Sequence, residues 1–250
     1  MMGESSINKI QDRCYRYVIS YVSFAVINGS GHGIQKNIPC IVHLCFKYIN
    51  ARATPMQSIS VDKLEDALES GASILDCRPT SDFASSHVPN SISASINGSY
   101  EYMATCLFDK KKPLILIAES GRESEAILRL DIDGFTNLSF FDFEKWKASD
   151  NPTSHIVRFS AKDATNHLEK MKDVSNAEDW KVLHVKGASN EPLLDIVANP
   201  GIISDGDVLY CAHGHKSMAA ASFMATRGVN VSDIMGGLSA MLVDAPDLEI

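Results

Sequence analysis

Two stretches, about one small domain apart, carry the same short design. Ala118-Glu119-Ser120-Gly121-Arg122-Glu123-Ser124 lines up with Cys211-Ala212-His213-Gly214-His215-Lys216-Ser217, with Gly and Ser coinciding. An apolar run of strand length precedes each, Leu114 to Ala118 and Val208 to Tyr210. A helical stretch follows each, Glu125 to about Leu130 and Met218 to Thr226, the second stopping near Arg227-Gly228. A glycine and a further apolar run come next in both, Gly134 to Phe140 and Gly228 to Met235. A period of this length indicates a tandem duplication, not a solenoid. Repeated strand, loop and helix restrict the chain to an α/β fold of two domains, each a mostly parallel sheet flanked by helices. The polar, proline-bearing Asn151-Pro152-Thr153-Ser154 is the expected boundary.

The 250 residues suffice for two modest domains. A net charge of −8 argues against nucleic-acid and membrane partners, so an anionic substrate needs a local basic patch. The six cysteines, Cys14, Cys40, Cys45, Cys77, Cys106 and Cys211, show neither CxxC nor metal spacing. They are too few for a disulfide scaffold, and a cytoplasmic location is expected. The longest apolar stretch, Tyr15 to Ile27, is broken by Arg16, Ser20 and Ser23 and falls short of the roughly 20 residues of a spanning helix. No signal peptide is read at Met1-Met2-Gly3-Glu4. Within residues 1–55, Tyr15 to Ile27 suits a strand or a helix, Asn28 to Gly33 a loop, and Ile38 to Ile49 is a second apolar run. His32 stands alone where a metal would need several clustered ligands, so neither metal nor cofactor is expected.

The second loop begins with a thiol. A glycine turn between strand and helix aims successive N–H groups inward, and the helix N-terminus adds partial positive charge, so such a loop suits an anion. Helix N-termini and nearby lysines favour thiolate over thiol. Cys211 is therefore the candidate nucleophile, and Ala212, His213, Gly214, His215, Lys216 and Ser217 form the candidate substrate-binding loop. Lys216 is expected to supply a fixed positive charge and Ser217 to cap the helix. His213 and His215 could bind a donor, act as acid and base, or face solvent. The plain alternative for Cys211 is a core cysteine at a strand end. Ala118 offers no nucleophile, so the first copy is inert at that position.

The first copy reads clearly. Ser60 caps a helix with Val61, Leu64, Ala67 and Leu68 on one face, ended by Gly71, and Ala72 to Leu75 is a strand. In the second copy Ile156 to Phe159 is a strand, and Ser160 caps a helix over Ala161 to Met171. Val182-Leu183-His184-Val185-Lys186 matches the strand that carried Asp76-Cys77-Arg78, with His184 and Lys186 at the Asp and Arg positions.

These residues resemble the rhodaneses, a sulfurtransferase family. The pattern Cys-x-x-Gly-x-Arg/Lys/Ser-Ser is filled by Cys211, Gly214, Lys216 and Ser217. Asp76-Cys77-Arg78, Phe83 and Ser86-His87-Val88-Pro89-Asn90-Ser91 resemble Asp-x-Arg, Phe and Gly-His-Ile-Pro-Gly-Ala, with Ser86 and Asn90 replacing the two glycines. Gly236-Gly237-Leu238-Ser239-Ala240-Met241 resembles the closing Gly-Gly-x-x-x-Trp. The resemblance implies a rhodanese-like domain over 56–150 without the cysteine. It implies a second over 153–250, without the His-Val-Pro segment and shortened by about a dozen residues before the cysteine loop. It makes Asp76 and Arg78 structural. The first copy is also similar to rhodanese domains fused to persulfide dioxygenases. Those carry a metallo-β-lactamase-like domain whose His-x-His-x-Asp-His motif this sequence lacks. Residues 1–55 are then a candidate remnant of another domain.

The implied function is sulfur transfer. A small anionic donor, thiosulfate or a persulfide, would hand its sulfane sulfur to Cys211, and the Cys211 persulfide would pass it to cyanide, glutathione or a protein thiol. The donor is expected in a cleft facing the first domain. A non-catalytic sulfur carrier or regulatory module is the second reading. A rhodanese-fold phosphatase would need Cys-x5-Arg, and Ser217 stands in place of that arginine.

Overall fold

Ser60 accepts the Lys63 amide at 3.4 Å and opens α1 (Val61–Glu69). The computed structural model describes residues 57–250; the readings at Tyr15 to Ile27, Asn28 to Gly33 and Ile38 to Ile49 lie outside the described residues. After α1 come β1 (Ser73–Asp76), α2 (Thr80–Ser85), β2 (Ile92–Ser93), α3 (Tyr100–Leu107), β3 (Leu114–Ile117), α4 (Glu123–Ile132), β4 (Leu138–Phe140) and α5 (Phe143–Ala148). The strands form a parallel sheet in the order β2-β1-β3-β4. Ile59 adds one more rung, donating its amide to the Phe140 carbonyl at 3.0 Å. β3 is buried at all four positions, as a strand covered on both faces must be.

The chain then repeats the plan. It runs through β5 (Arg158–Phe159), a 3-10 helix (Ala161–Lys170), β6 (Met171–Asp173), α6 (Ala177–Val182), β7 (Ser189–Asn190) and α7 (Leu193–Ala198). It continues through β8 (Val208–Tyr210), α8 (His215–Ala225), β9 (Ser232–Ile234) and α9 (Gly237–Asp244). The second sheet, also parallel, has the order β5-β9-β8-β6-β7. With Ile59 counted as the counterpart of β5, the two sheets have the same order. Each is a mostly parallel sheet flanked by helices, the α/β class expected.

Several expectations for the second copy are corrected. The counterpart of β1 is β6, since both pair with the strand leading into the glycine loop. Val182 ends α6, and the residues after it turn back at Gly187 (φ +87), so Val182 to Lys186 is not a strand. His184 and Lys186 therefore do not hold the Asp and Arg positions. Asp173 and Ser175 do: Asp173 accepts the Ser175 amide at 2.8 Å, as Asp76 accepts that of Arg78 at 3.1 Å. Nor is the histidine segment missing. His87 stacks on Phe83 at 3.9 Å and bonds its carbonyl through Nδ1 at 2.8 Å; His184 does the same to Trp180, at 4.0 Å and 2.8 Å. Lys186 falls at the position of Pro89. The second domain is accordingly not shortened by a dozen residues: Asp173 to Val208 and Asp76 to Leu114 differ in length by only three positions. The stretch after Ser160 is a 3-10 helix and yields to β6 at Met171.

The two copies share a core. One apolar cluster joins Leu75, Phe83, Tyr100 and Leu116 of the first to Val174, Leu209, Met218 and Met224 of the second. α8 lies inside it, with every residue from Ser217 to Met224 buried. A helix buried on all sides shows no polar stripe, and the alanines at 219–221 let its neighbours close in. Ser222 Oγ accepts the Ser93 amide at 2.9 Å, bonding α8 to β2 of the other copy. Two further clusters cover the outer faces, around Leu64 and Trp146 and around Tyr210 and Met241.

Candidate active site

Cys211 stands just past the carboxyl end of central strand β8, where open parallel sheets present their ligand crevices. Gly214 takes φ +82 and serves as N-cap of α8, which begins at His215, earlier than the sequence suggested. That left-handed residue turns the Gly214 amide onto the cysteine, to which it donates at 3.2 Å. The amides of His215, Lys216 and Ser217 open the helix, before the intrahelical ladder begins.

The carbonyls of the loop are taken up from the other side. Leu238 and Ser239, at the start of α9, donate their amides to the Cys211 and Ala212 carbonyls at 2.8 and 3.0 Å. The approach is so close that a Cβ on Gly237 would lie 2.0 Å from the Cys211 carbonyl oxygen. The Gly236-Gly237 pair is thus a seat for the loop.

Ser217 is not the cap. Its buried hydroxyl lies 3.8 Å from Cys211 Sγ and donates to Asp233 Oδ2 at 3.4 Å. Asp233 is held by Arg158, which contributes Nε at 2.7 Å and Nη2 at 2.9 Å. The pair sits in register on β5 and β9, and a Cβ on Gly214 would lie 3.6 Å from Arg158 Nη2. Burial pushes the Asp233 carboxyl up, against the pull of Arg158. Sequence reasoning missed both residues. The available signal was a pair of opposite charges inside two runs otherwise fit for strands, Ile156 to Phe159 and Val231 to Met235.

Lys216 turns elsewhere. Its ammonium lies 3.6 Å from Asp179 and 5.4 Å from the Tyr102 ring centroid, so it is engaged at the junction with α3 and α6. His213 is exposed, Ala212 and His215 are half-buried, and Gly214 is buried. Burial holds His215 below the ordinary histidine range, with His213 and Arg158 adding to the effect. Cys211 is only 3% exposed, so a ligand reaching it must be small or must move a neighbour.

Asp76 and Arg78 lie apart from the thiol and hold the first copy together. Arg78 reaches both carboxylate oxygens, Nη2 at 2.7 Å, donates to the Ser86 carbonyl at 2.9 Å and lies over Phe143. In the second copy Tyr210 takes over. Its hydroxyl accepts the Val185 amide at 3.0 Å, and burial, with the nearby Asp173 carboxylate adding, pushes its proton affinity well up. A cavity of about 450 Å3 opens at the inert loop of the first copy, lined by Ala118, Ser120, Arg78 and Glu123. Among the described residues Cys77, Cys106 and Cys211 are free, no cluster could hold a metal, and no helix is long and apolar enough to cross a membrane.

Comparison with known proteins agrees with the duplication. The family described as rhodanese-like domain matches residues 60–149 and again 160–243. A thiosulfate sulfurtransferase GlpE of Pseudomonas savastanoi pv. phaseolicola is 28% identical over 99 residues, 38% of this chain and 92% of that protein. Among solved structures, the Alr3790 protein from Anabaena sp. aligns over 40% of this chain and 82% of its own, at 23% identity and a TM-score of 0.37. A thiosulfate sulfurtransferase from Pseudomonas aeruginosa aligns over 79% of this chain and 48% of its own, at 17% identity and a TM-score of 0.35.

Proposed function

We propose, from the premise that this chain belongs to the rhodanese-like domain family, that it moves a sulfane sulfur through a persulfide on Cys211. The observation that carries this is the Gly214 amide, 3.2 Å from Cys211 Sγ at the N-terminus of α8.

In the first step the Cys211 thiolate attacks the outer sulfur of thiosulfate. The S–S bond of the donor breaks, and sulfite leaves with the electron pair. In the second, the lone pair of an acceptor such as cyanide or a thiolate attacks the outer persulfide sulfur, and Cys211 departs as thiolate. No external oxidant or reductant is needed. This is covalent catalysis of the ping-pong kind. The persulfide anion extends toward the amides of His215 to Ser217, which would hold it as an oxyanion hole holds charge. The Ser217 hydroxyl lies within reach of the same sulfur. Because Lys216 is engaged by Asp179, the main chain, not an ammonium, would carry most of the anion's stabilisation.

Thiosulfate treatment followed by mass spectrometry should show one added sulfur on the Cys211 peptide. Thiocyanate formation from thiosulfate and cyanide should be lost in Cys211→Ser. A wild-type chain that gains no sulfur on Cys211 would rule the proposal out. The near-complete burial of Cys211 favours one further reading, a carrier that loads but does not turn over. A persulfide that forms and is not discharged to cyanide or glutathione identifies it.

A further inference from the structure

The cysteine-less loop of the first copy is not idle. Arg122, next to its glycine, donates through Nη1 to Asn97 Oδ1 at 2.7 Å. It is itself braced by Glu125 at 3.0 Å. Two helical turns after Arg122, Arg129 donates to the Ile96 carbonyl at 3.0 Å. Both arginines thus grip one tight turn, in which the Gly98 amide bonds the Ser95 carbonyl at 3.0 Å and the Asn97 amide lies 3.4 Å from Ser95 Oγ.

That turn touches the other copy at the cysteine loop. A Cβ on Gly98 would lie 2.8 Å from both Cβ and Cγ of His215, the first residue of α8. Ile96 belongs to the same buried cluster as Cys211. The backbone of the first copy is therefore pressed against the helix end that faces the thiol.

We propose that the Ser95–Gly98 turn is the roof of the Cys211 site and limits it to small donors and acceptors, with Arg122 and Arg129 as the positioning residues that hold the roof down. The alanine-bearing loop, having no nucleophile, serves as the anchor of this clamp. The proposal rests on Cys211 being the reacting thiol, and its substrate class is the small anion, not a macromolecular thiol.

The test is selective labelling of the full chain by iodoacetamide and by a maleimide carrying a long polyethylene glycol chain, read peptide by peptide. In the wild type Cys211 should accept the small reagent far faster than the bulky one. Losing one charge-assisted hydrogen bond in Arg122→Ala should raise bulky relative to small labelling at Cys211 about tenfold. Arg122→Lys should restore the wild-type ratio. Glu123→Gln, whose carboxylate binds the Gly121 amide and not the turn, should leave it unchanged. Buried Cys77 reports unfolding, because only an opened core exposes it. The proposal is overturned if the Cys211 ratio stays constant in both Arg122→Ala and Asn97→Ala, or rises in both only in step with Cys77 labelling. Persulfide formation is a separate measurement, so its failure would remove the sulfur-transfer reading and leave the labelling result standing.

Discussion

Gly237 has no side chain because the main chain of the cysteine loop occupies its place. Its φ of +59 already disfavours any L side chain, and a methyl there would meet the Cys211 carbonyl at 2.0 Å. Strain at such a backbone and overpacking each cost about 1–3 kcal/mol. Gly237→Ala should therefore lower the free energy of unfolding by at least about 2 kcal/mol in urea titrations. It should also slow persulfide loading, since the loop can yield only by tilting the Gly214 amide off the sulfur. Gly228→Ala is the contrast: its φ is +75, but open space surrounds it, so it carries the conformational strain without the collision.

At the scale of elements, the buried imidazole of His87 folds back on α2, stacking on Phe83 and bonding its carbonyl. Burial lowers its proton affinity to about 4, with Arg78 and His155 adding and the Phe83 carbonyl opposing. The unfolded chain protonates this histidine near 6.5. Between there and about 4 the unfolded state holds more protons, so stability falls as pH falls through that window. His87→Gln should remove about 3 kcal/mol of the stability difference between neutral pH and the lower end of that window, read from urea midpoints. The first copy was legible because its signature is local: cap, apolar run, Asp-x-Arg and Phe-x3-His follow in unbroken order. The second copy misled at Val182 to Lys186, a β-prone run that is the end of a helix and the turn at Gly187. Its true counterpart, Met171-Lys172-Asp173, is three residues long with a lysine at its centre, too short and too polar to read as a strand. Trp180 and His184 repeat the spacing of Phe83 and His87, and that spacing, not hydropathy, was the usable mark. The thiol and its glycine were legible from sequence. The Arg158–Asp233 pair was not, because it is made by strand register across 75 residues.

For the molecule as a whole, the core shared between the two sheets makes independent unfolding of the copies unfavourable. α8 would lose the packing of β2, α2 and α3 if the halves parted. The chain has two tryptophans, Trp146 in the first copy and Trp180 in the second. Single-tryptophan variants, Trp146→Phe and Trp180→Phe, should give superimposable denaturant transitions, as a cooperative unit requires. Two separated midpoints would show that the copies fold on their own.

The loop around Cys211 sorts its own peptide groups, the Cys211 and Ala212 carbonyls toward α9 and the Gly214 amide toward the sulfur. Affinity for charge is then written into the backbone and is indifferent to the decoration it carries. Exchanging His213, or Ala212 for another small residue, should alter which guests are welcome while the grip on a negative atom persists. A drift of sequence along the loop is compatible with unchanged chemistry so long as two glycines, one beneath and one within, stay bare.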